Sequence, residues 1–278
     1  MRFVEVCFIR FPVETGNQHF VISNVQRSLA LAFVLVSAAL SVGALPAVAA
    51  SPALAGPDAL AGPDAQRPAE RGVVLRFGDR GQYVHLLQRW LERLGFDPGN
   101  VNGRFGTETE FAVWALQKSQ GLRARGRVDY DTWRALSRFR KIRPLVPGGA
   151  PRRLEIDLTR QLMTLYTNGR PALVTHISTG AEVHYCDNGR CGTAITPTGD
   201  FRVFRRDPGW TTGPLGSMYN SLYFSGGMAV HGSSKVPLWP ASHGCVRIPL
   251  HVANEVYRVI QHGDPVHIRG NAPTAQNR

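Results

Sequence analysis

His231-Gly-Ser-Ser-Lys-Val-Pro-Leu-Trp-Pro-Ala-Ser-His-Gly-Cys-Val-Arg247 brings a thiol, two imidazoles and a glycine turn into one short stretch. A free cysteine ionises near about pH 8.5, so a nucleophilic thiol needs a neighbouring base. It also needs backbone donors for the oxyanion that forms on attack. Gly244 leaves the backbone before Cys245 unshielded, so the amides near 244–245 could face that charge. His243 lies two residues from Cys245, where local geometry aims it elsewhere. His231 ends a separate apolar strand, Met228-Ala-Val-His231, and can meet the thiol in space.

The other cysteines sharpen this reading. Cys186 and Cys191 flank Asp187-Asn-Gly189, strong turn chemistry that could bring the two sulfurs together as a disulfide stapling a hairpin. Cys7 falls in a segment expected to be removed. Arg27, an apolar run from Leu29 to Val36 and Ala47-Val-Ala-Ala50 compose a secretory signal over 1–50, too broken at Gly43 to Pro46 for a comfortable span. An exported chain with Cys245 unpaired carries either an intermolecular bridge or a reactive thiol. The net charge of +12 favours a polyanion without choosing among nucleic acid, anionic lipid and wall polymer.

Two copies of Ala-Leu-Ala-Gly-Pro-Asp, at 53–64, make 51–71 a flexible linker. Residues 72–137 read as three helices. The first follows Gly78-Asp-Arg-Gly81 and carries Val84, Leu87, Leu91 and Leu94. The second is capped by Thr107 with Glu110 as its capping-box partner and buries Phe111, Ala112, Ala115 and Leu116. The third starts near Asp131. A basic Pro/Gly link, 138–151, leads into a β-rich domain, 152–270, with a tail at 271–278. There Leu154–Leu158 alternates as a half-buried strand, and further strands are expected at 161–166, 173–178, 201–204 and 266–269. One helix carries Val252, Val256, Val259 and Ile260 and stops at Gly263. The fold class is α+β: a small three-helix bundle, then a β-sandwich-like domain with a helix.

Residues 72–137 resemble the peptidoglycan-binding three-helix module. The shared pattern is Gly-Asp-x-Gly81, Val84-x-x-Leu-Gln88, Leu-x-x-Leu-Gly-Phe96, Asn102-Gly-x-Phe-Gly-x-x-Thr109, Ala-Val-x-x-Leu-Gln117 and Asp131-x-Trp133. The resemblance implies binding of wall glycan or stem peptide without chemistry.

Residues 152–270 resemble the catalytic domain of L,D-transpeptidases, the YkuD type. The match runs in order through Gln161-Leu-x-x-Leu-Tyr166, Ile177-Ser-Thr-Gly180, Thr196-Pro-Thr-Gly-Asp-Phe201, and His231-Gly ahead of Ser242-His-Gly-Cys-Val-Arg247. It implies that Cys245 is the acyl-enzyme nucleophile and His231 its base. The Gly232 carbonyl would orient the imidazole, and Ser242, His243 and Gly244 would shape the nucleophile loop and oxyanion site. Arg247 stands where many members have Asn; it and Tyr223 are candidate substrate contacts. The spacing from His231 to Cys245 is shorter than in many members, so the intervening loop is trimmed.

The implied reaction is acyl transfer from the third stem residue to another stem, through a thioester. No cofactor and no metal is expected. The implied setting is a secreted monomer, periplasmic or wall-associated, with no nucleic-acid partner and membrane contact only through the signal. Carbapenems are expected to acylate Cys245. Water as acceptor would make an L,D-carboxypeptidase, and an inert Cys245 would leave a wall-binding protein. A zinc site from His231, His243, Cys245 and His251 is a further rival, but no paired ligand spacing organises it.

Overall fold

Glycine turns and buried glutamines shape the first half of the chain in the computed structural model, which describes residues 68–273. The expected signal segment, Cys7, most of the expected 51–71 linker and the last five residues lie outside that range. Helix α1, Gln82–Arg93, buries Val84, Leu87, Trp90 and Leu91. Gly95, at φ +82°, turns the chain so that the Phe96 amide donates back to the Leu91 carbonyl at 2.9 Å. Helix α2, Thr107–Ser119, is capped by Gly106 without any side-chain bond. The capping box expected from Thr107 and Glu110 does not form, because Thr107 already has helical backbone. Helix α3, Tyr130–Ser137, is capped by Asp129, which accepts from the Thr132 amide.

Two buried side-chain amides tie these helices to their turns. Gln88 donates to the Arg104 carbonyl and Thr109 Oγ1, both at 3.0 Å, and accepts from the Asn102 and Gly103 amides at 3.1 and 2.8 Å. Gln117 donates to the Arg127 carbonyl at 2.8 Å and accepts from the Arg125 amide at 3.0 Å. Such groups are tolerated in a core only when so satisfied.

The second half builds two sheets around one core. The first has strand order β3-β2-β1-β11-β6: Arg170–His176, Leu162–Thr167, Arg153–Asp157, Pro265–Arg269 and Gly199–Arg202. The second has order β10-β9-β8-β7: Val246–Pro249, Met228–Ser233, Gly216–Ser225 and Arg205–Gly213. A separate hairpin joins β4, His184–Asp187, to β5, Arg190–Thr193. Leu154, Ile156 and Leu165 of the first sheet meet Leu222, Phe224, Val230, Val246 and Ile248 of the second. Helix α4, Leu250–Val259, adds Val252 and Val256.

Strand β1 departs from the half-buried expectation: both of its faces are covered. Glu155 accepts from Arg153 Nε at 2.7 Å and from the Leu145 amide at 2.7 Å, and the Arg153 guanidinium lies over the Tyr166 ring. The segment expected to be a plain link therefore packs onto the sheet and donates backbone amides to a buried carboxylate whose charge Arg153 neutralises.

The helical part is docked against the sheet part. Leu162 and Val174 belong to the helical part's own apolar cluster, and the Val174 amide donates to the Gly95 carbonyl at 2.8 Å. Phe111, expected inside the helical core, is only half-buried there and faces across the junction. Its ring lies 5.8 Å from His176 and stacks on His251 at 6.5 Å. No helix among the described residues is long and apolar enough to cross a membrane.

Candidate active site

Strands β9 and β10 run parallel, with Val246 opposite Val230 and Arg247 opposite His231. Alternation sends Val230, Val246 and Ile248 into the core. It sends His231, Cys245 and Arg247 to the other face, where all three line one cavity of about 770 Å³. Cys245 directly precedes Val246 on the neighbouring strand, so imidazole and thiol open into the same cavity.

His231 Nδ1 lies 3.0 Å from the Gly232 carbonyl. A carbonyl only accepts, so Nδ1 carries the proton and Nε2 keeps a free lone pair. Burial pulls the His231 pKa down to about 4; the Gly232 bond opposes this, and the Arg247 cation adds to it. The imidazole is therefore neutral at pH 7. Burial pushes the Cys245 thiol up, against smaller opposing effects of the Ala229 backbone and Arg247. At neutral pH the cavity face thus carries a thiol and a neutral imidazole. The Arg247 guanidinium makes no hydrogen bond or ion pair with any described residue.

The upstream motifs converge on the nucleophile segment. Ser178 exchanges backbone bonds with Arg247 at 2.9 and 3.0 Å. Thr179 takes the Ala241 and Ser242 amides on its carbonyl, each at 2.9 Å. Thr196 Oγ1 accepts from the Gly180 amide and donates to the Gly244 carbonyl at 2.8 Å. A Cβ at Gly180 would collide with the Ala194 carbonyl. Gly244 sits at φ +126°, where a Cβ would also press on the Ile195 carbonyl at 3.0 Å.

Of the residues singled out in the sequence, His231, Ser242, His243, Cys245 and Arg247 are brought together around the cavity. The Gly244 amide is not aimed into it, because it donates to Ser242 Oγ at 3.1 Å. His243 is turned toward the hairpin, with Nε2 2.7 Å from Asp187 Oδ2 and its ring 4.5 Å from Tyr185. Tyr223 is a correction: it is buried beneath the Arg205 guanidinium and does not line the cavity. A tyrosine on a strand next to the active strand can face either side, and this one faces away. The rival zinc cluster is not assembled, since His251 meets the Asp97 carbonyl at 3.2 Å instead. Among the described residues no three His, Cys, Asp or Glu side chains converge as a metal site requires.

The Cys186–Cys191 disulfide is formed, across a directly opposed pair of β4 and β5. It does more than staple a hairpin. Tyr185, Arg190 and Thr193 form one wall of the cavity, and Asn188 donates to the Pro214 carbonyl of the β7–β8 turn at 2.8 Å. Trp210, Leu215 and Met218 of that second hairpin form the apolar wall opposite. Leu215 and Met218 escape sequence reading, because nothing local to them signals chemistry.

The sequence model of the YkuD L,D-transpeptidase catalytic domain matches residues 151–268, and that of a peptidoglycan-binding domain matches residues 80–136. Among solved structures, an L,D-transpeptidase from Xylanimonas cellulosilytica is 35% identical. That match covers 70% of this chain and 97% of the other, with a TM-score of 0.67. One from Stackebrandtia nassauensis is 22% identical over 72% and 96% of the two chains, with a TM-score of 0.41. The catalytic domain of the Enterococcus faecium enzyme is 25% identical over 44% and 100%, with a TM-score of 0.35. The extent and identity of the Xylanimonas match, together with a catalytic-domain match spanning both sheets and the cavity, show that this chain belongs to the L,D-transpeptidase family.

Proposed function

We propose that this chain is a secreted peptidoglycan L,D-transpeptidase that cross-links stem peptides through a Cys245 thioester, with residues 72–137 holding the wall. The observation that carries the reading is the shared placement of Cys245 and a neutral His231, its Nδ1–H fixed by the Gly232 carbonyl, on one cavity face.

The chemistry follows from those two groups. His231 Nε2 takes the Cys245 proton as Sγ attacks the carbonyl carbon of the third stem residue. The C–O electron pair moves to oxygen. The Gly244 amide is held by Ser242, which leaves the Cys245 N–H as the loop's donor to that oxyanion. Collapse breaks the C–N bond to the terminal D-Ala, whose amine leaves with the proton from imidazolium. An amine of a second stem then attacks the thioester carbonyl, gives its proton to His231 and restores the thiol. Arg247, with no carboxylate of its own chain to hold, grips a carboxylate of the donor stem.

The test is incubation of the mature protein with a disaccharide-tetrapeptide, read by mass. Cross-linked dimer is expected, together with a carbapenem adduct on the intact protein; both disappear in Cys245→Ala. Trimmed tripeptide as the sole product would make the enzyme a carboxypeptidase. An unmodified wild-type mass with no turnover would overturn the enzymatic reading.

A further inference from the structure

Helix α2 carries Lys118 near its C-terminal end, and both partners of its ammonium lie in the other domain. Nζ is 2.7 Å from His176 Nδ1 and 3.3 Å from the Gln161 carbonyl. An ammonium only donates, so His176 Nδ1 accepts and the ring proton must sit on Nε2. Nε2 lies 3.0 Å from the Val236 carbonyl, which requires that same tautomer. His176 is fully buried, with the Trp114 ring edge-on at 5.2 Å and Phe111 beside it. A cation is costly to enclose unless its protons are taken. Nothing in the helical core uses this one.

Both partners lead to the segment that presents the nucleophile. Val236 lies between the strand of His231 and Cys245. Gln161 clamps Thr179 with both ends of its amide, accepting from the Thr179 amide at 3.0 Å and donating to its Oγ1 at 2.8 Å. The Thr179 carbonyl in turn holds the Ala241 and Ser242 amides. Two routes therefore run from one lysine to the two ends of the loop between base and thiol.

We propose that Lys118 is a positioning residue for acyl transfer: lent by the wall-binding domain, it fixes through His176 and Gln161 the 234–244 segment that sets Cys245 against its base. This rests on the transpeptidase reading above. Docking of the helical domain is then a condition for full catalytic rate and not only a means of staying on the wall.

The test uses the full mature chain and the disaccharide-tetrapeptide, with hydrogen exchange of amides 235–243 as a second readout. Lys118→Met should lower kcat by about ten- to a hundredfold, leave KM within about twofold, and speed exchange in that segment, since small misplacements of reacting groups cost rates of that order. His176→Leu should do the same. His176→Gln, whose carbonyl can accept from Lys118 and whose amide can donate to Val236, should recover most of the rate. The double variant Lys118→Met/His176→Leu should lose little more than either single one, as members of one unit do. If Lys118→Met does not fold, the His176→Leu and His176→Gln pair decides the matter: equal rates in the two overturn the proposal. So does a wild-type kcat and unchanged exchange in Lys118→Met. An inactive wild type would instead overturn the transpeptidase reading itself.

Discussion

In the helical domain the buried amide of Gln88 meets the Asn102 and Gly103 amides, the Arg104 carbonyl and Thr109 Oγ1, leaving no polar atom idle. Around Cys245 the pattern is reversed. His231 Nε2 and the Arg247 guanidinium have no hydrogen-bond partner among the described residues, and the thiol makes only a long bond to the Gly227 carbonyl at 3.9 Å. Satisfied polar groups specify a fold; unsatisfied ones lining a cavity are held ready for something outside the chain. On the proposed function the difference separates a domain that holds the wall from a domain that reacts, and each prediction below presses on one side of it.

The largest effect should come from removing the idle base. His231→Asn is expected to lower kcat/KM for the stem peptide by about a thousandfold with the melting temperature nearly unchanged, the range general bases command. In the wild type, a histidine held down to about pKa 4 by burial stays competent well below the ordinary imidazole range. The reactive form is the neutral ring, so activity should persist through pH 6 and fall only as the pH nears 4. An acid limb centred near about 6.5 would mean that the ring is solvated as a free imidazole is.

On the other side, Gln88→Leu should leave the Cys245 chemistry alone and damage the fold. It strands the turn amides of Asn102 and Gly103 without an acceptor, a loss of about 3 kcal/mol by denaturant unfolding. A loss below about 1 kcal/mol would show that water replaces the glutamine, and the contrast between the two domains would weaken.

The sequence displayed these two sides unequally. Helix spacing, the Gly95 stop and the Leu-Gln pairs made the helical domain legible, because its contacts are mostly close in sequence. The nucleophile segment was legible through its thiol and imidazoles. The cavity walls were not. Strands β7 and β8 are interrupted by register shifts between Asp207 and Trp210 and between Tyr219 and Leu222, which break the period-two pattern that reveals a strand. Whether Tyr223 faces the cavity or Arg205 depends on those shifts. Lys118 and His176 carry no local signal at all; only docking makes them partners, fifty-eight positions apart.

The junction is an intermediate case, with Lys118 and His176 both hydrogen-bonded but at a cost in charge. Burial lowers the Lys118 pKa to about 7, and its neighbour His176 is held neutral, well below its ordinary range, by burial and by that cation. Below pH 7 the lysine is protonated both folded and unfolded, so the penalty for enclosing the cation is fully present. From pH 7 toward the unfolded value of about 10.4 the unfolded chain holds the extra proton, so stability rises with pH. The stability difference between wild type and Lys118→Met should therefore grow in favour of wild type by about 2 kcal/mol from pH 7 to 9. A flat difference would mean that the ammonium is hydrated at the junction.

Arg247 offers the finest cut. Its guanidinium faces the cavity unpaired, and burial lowers its pKa while its electrostatic interaction with Cys245 opposes that. If it grips a stem carboxylate by two parallel bonds, Lys at this position keeps the charge and loses the fork. KM for the tetrapeptide should then rise about tenfold in Arg247→Lys while kcat changes little, because the contact is made equally in ground and transition states. A rise in KM equal to that of Arg247→Met would say that the fork matters and charge alone does not. No rise in either variant would remove Arg247 from the substrate site. The unpaired guanidinium would then serve only to help keep His231 neutral, which a downward shift of the acid limb with Arg247 present and an upward one without it would reveal.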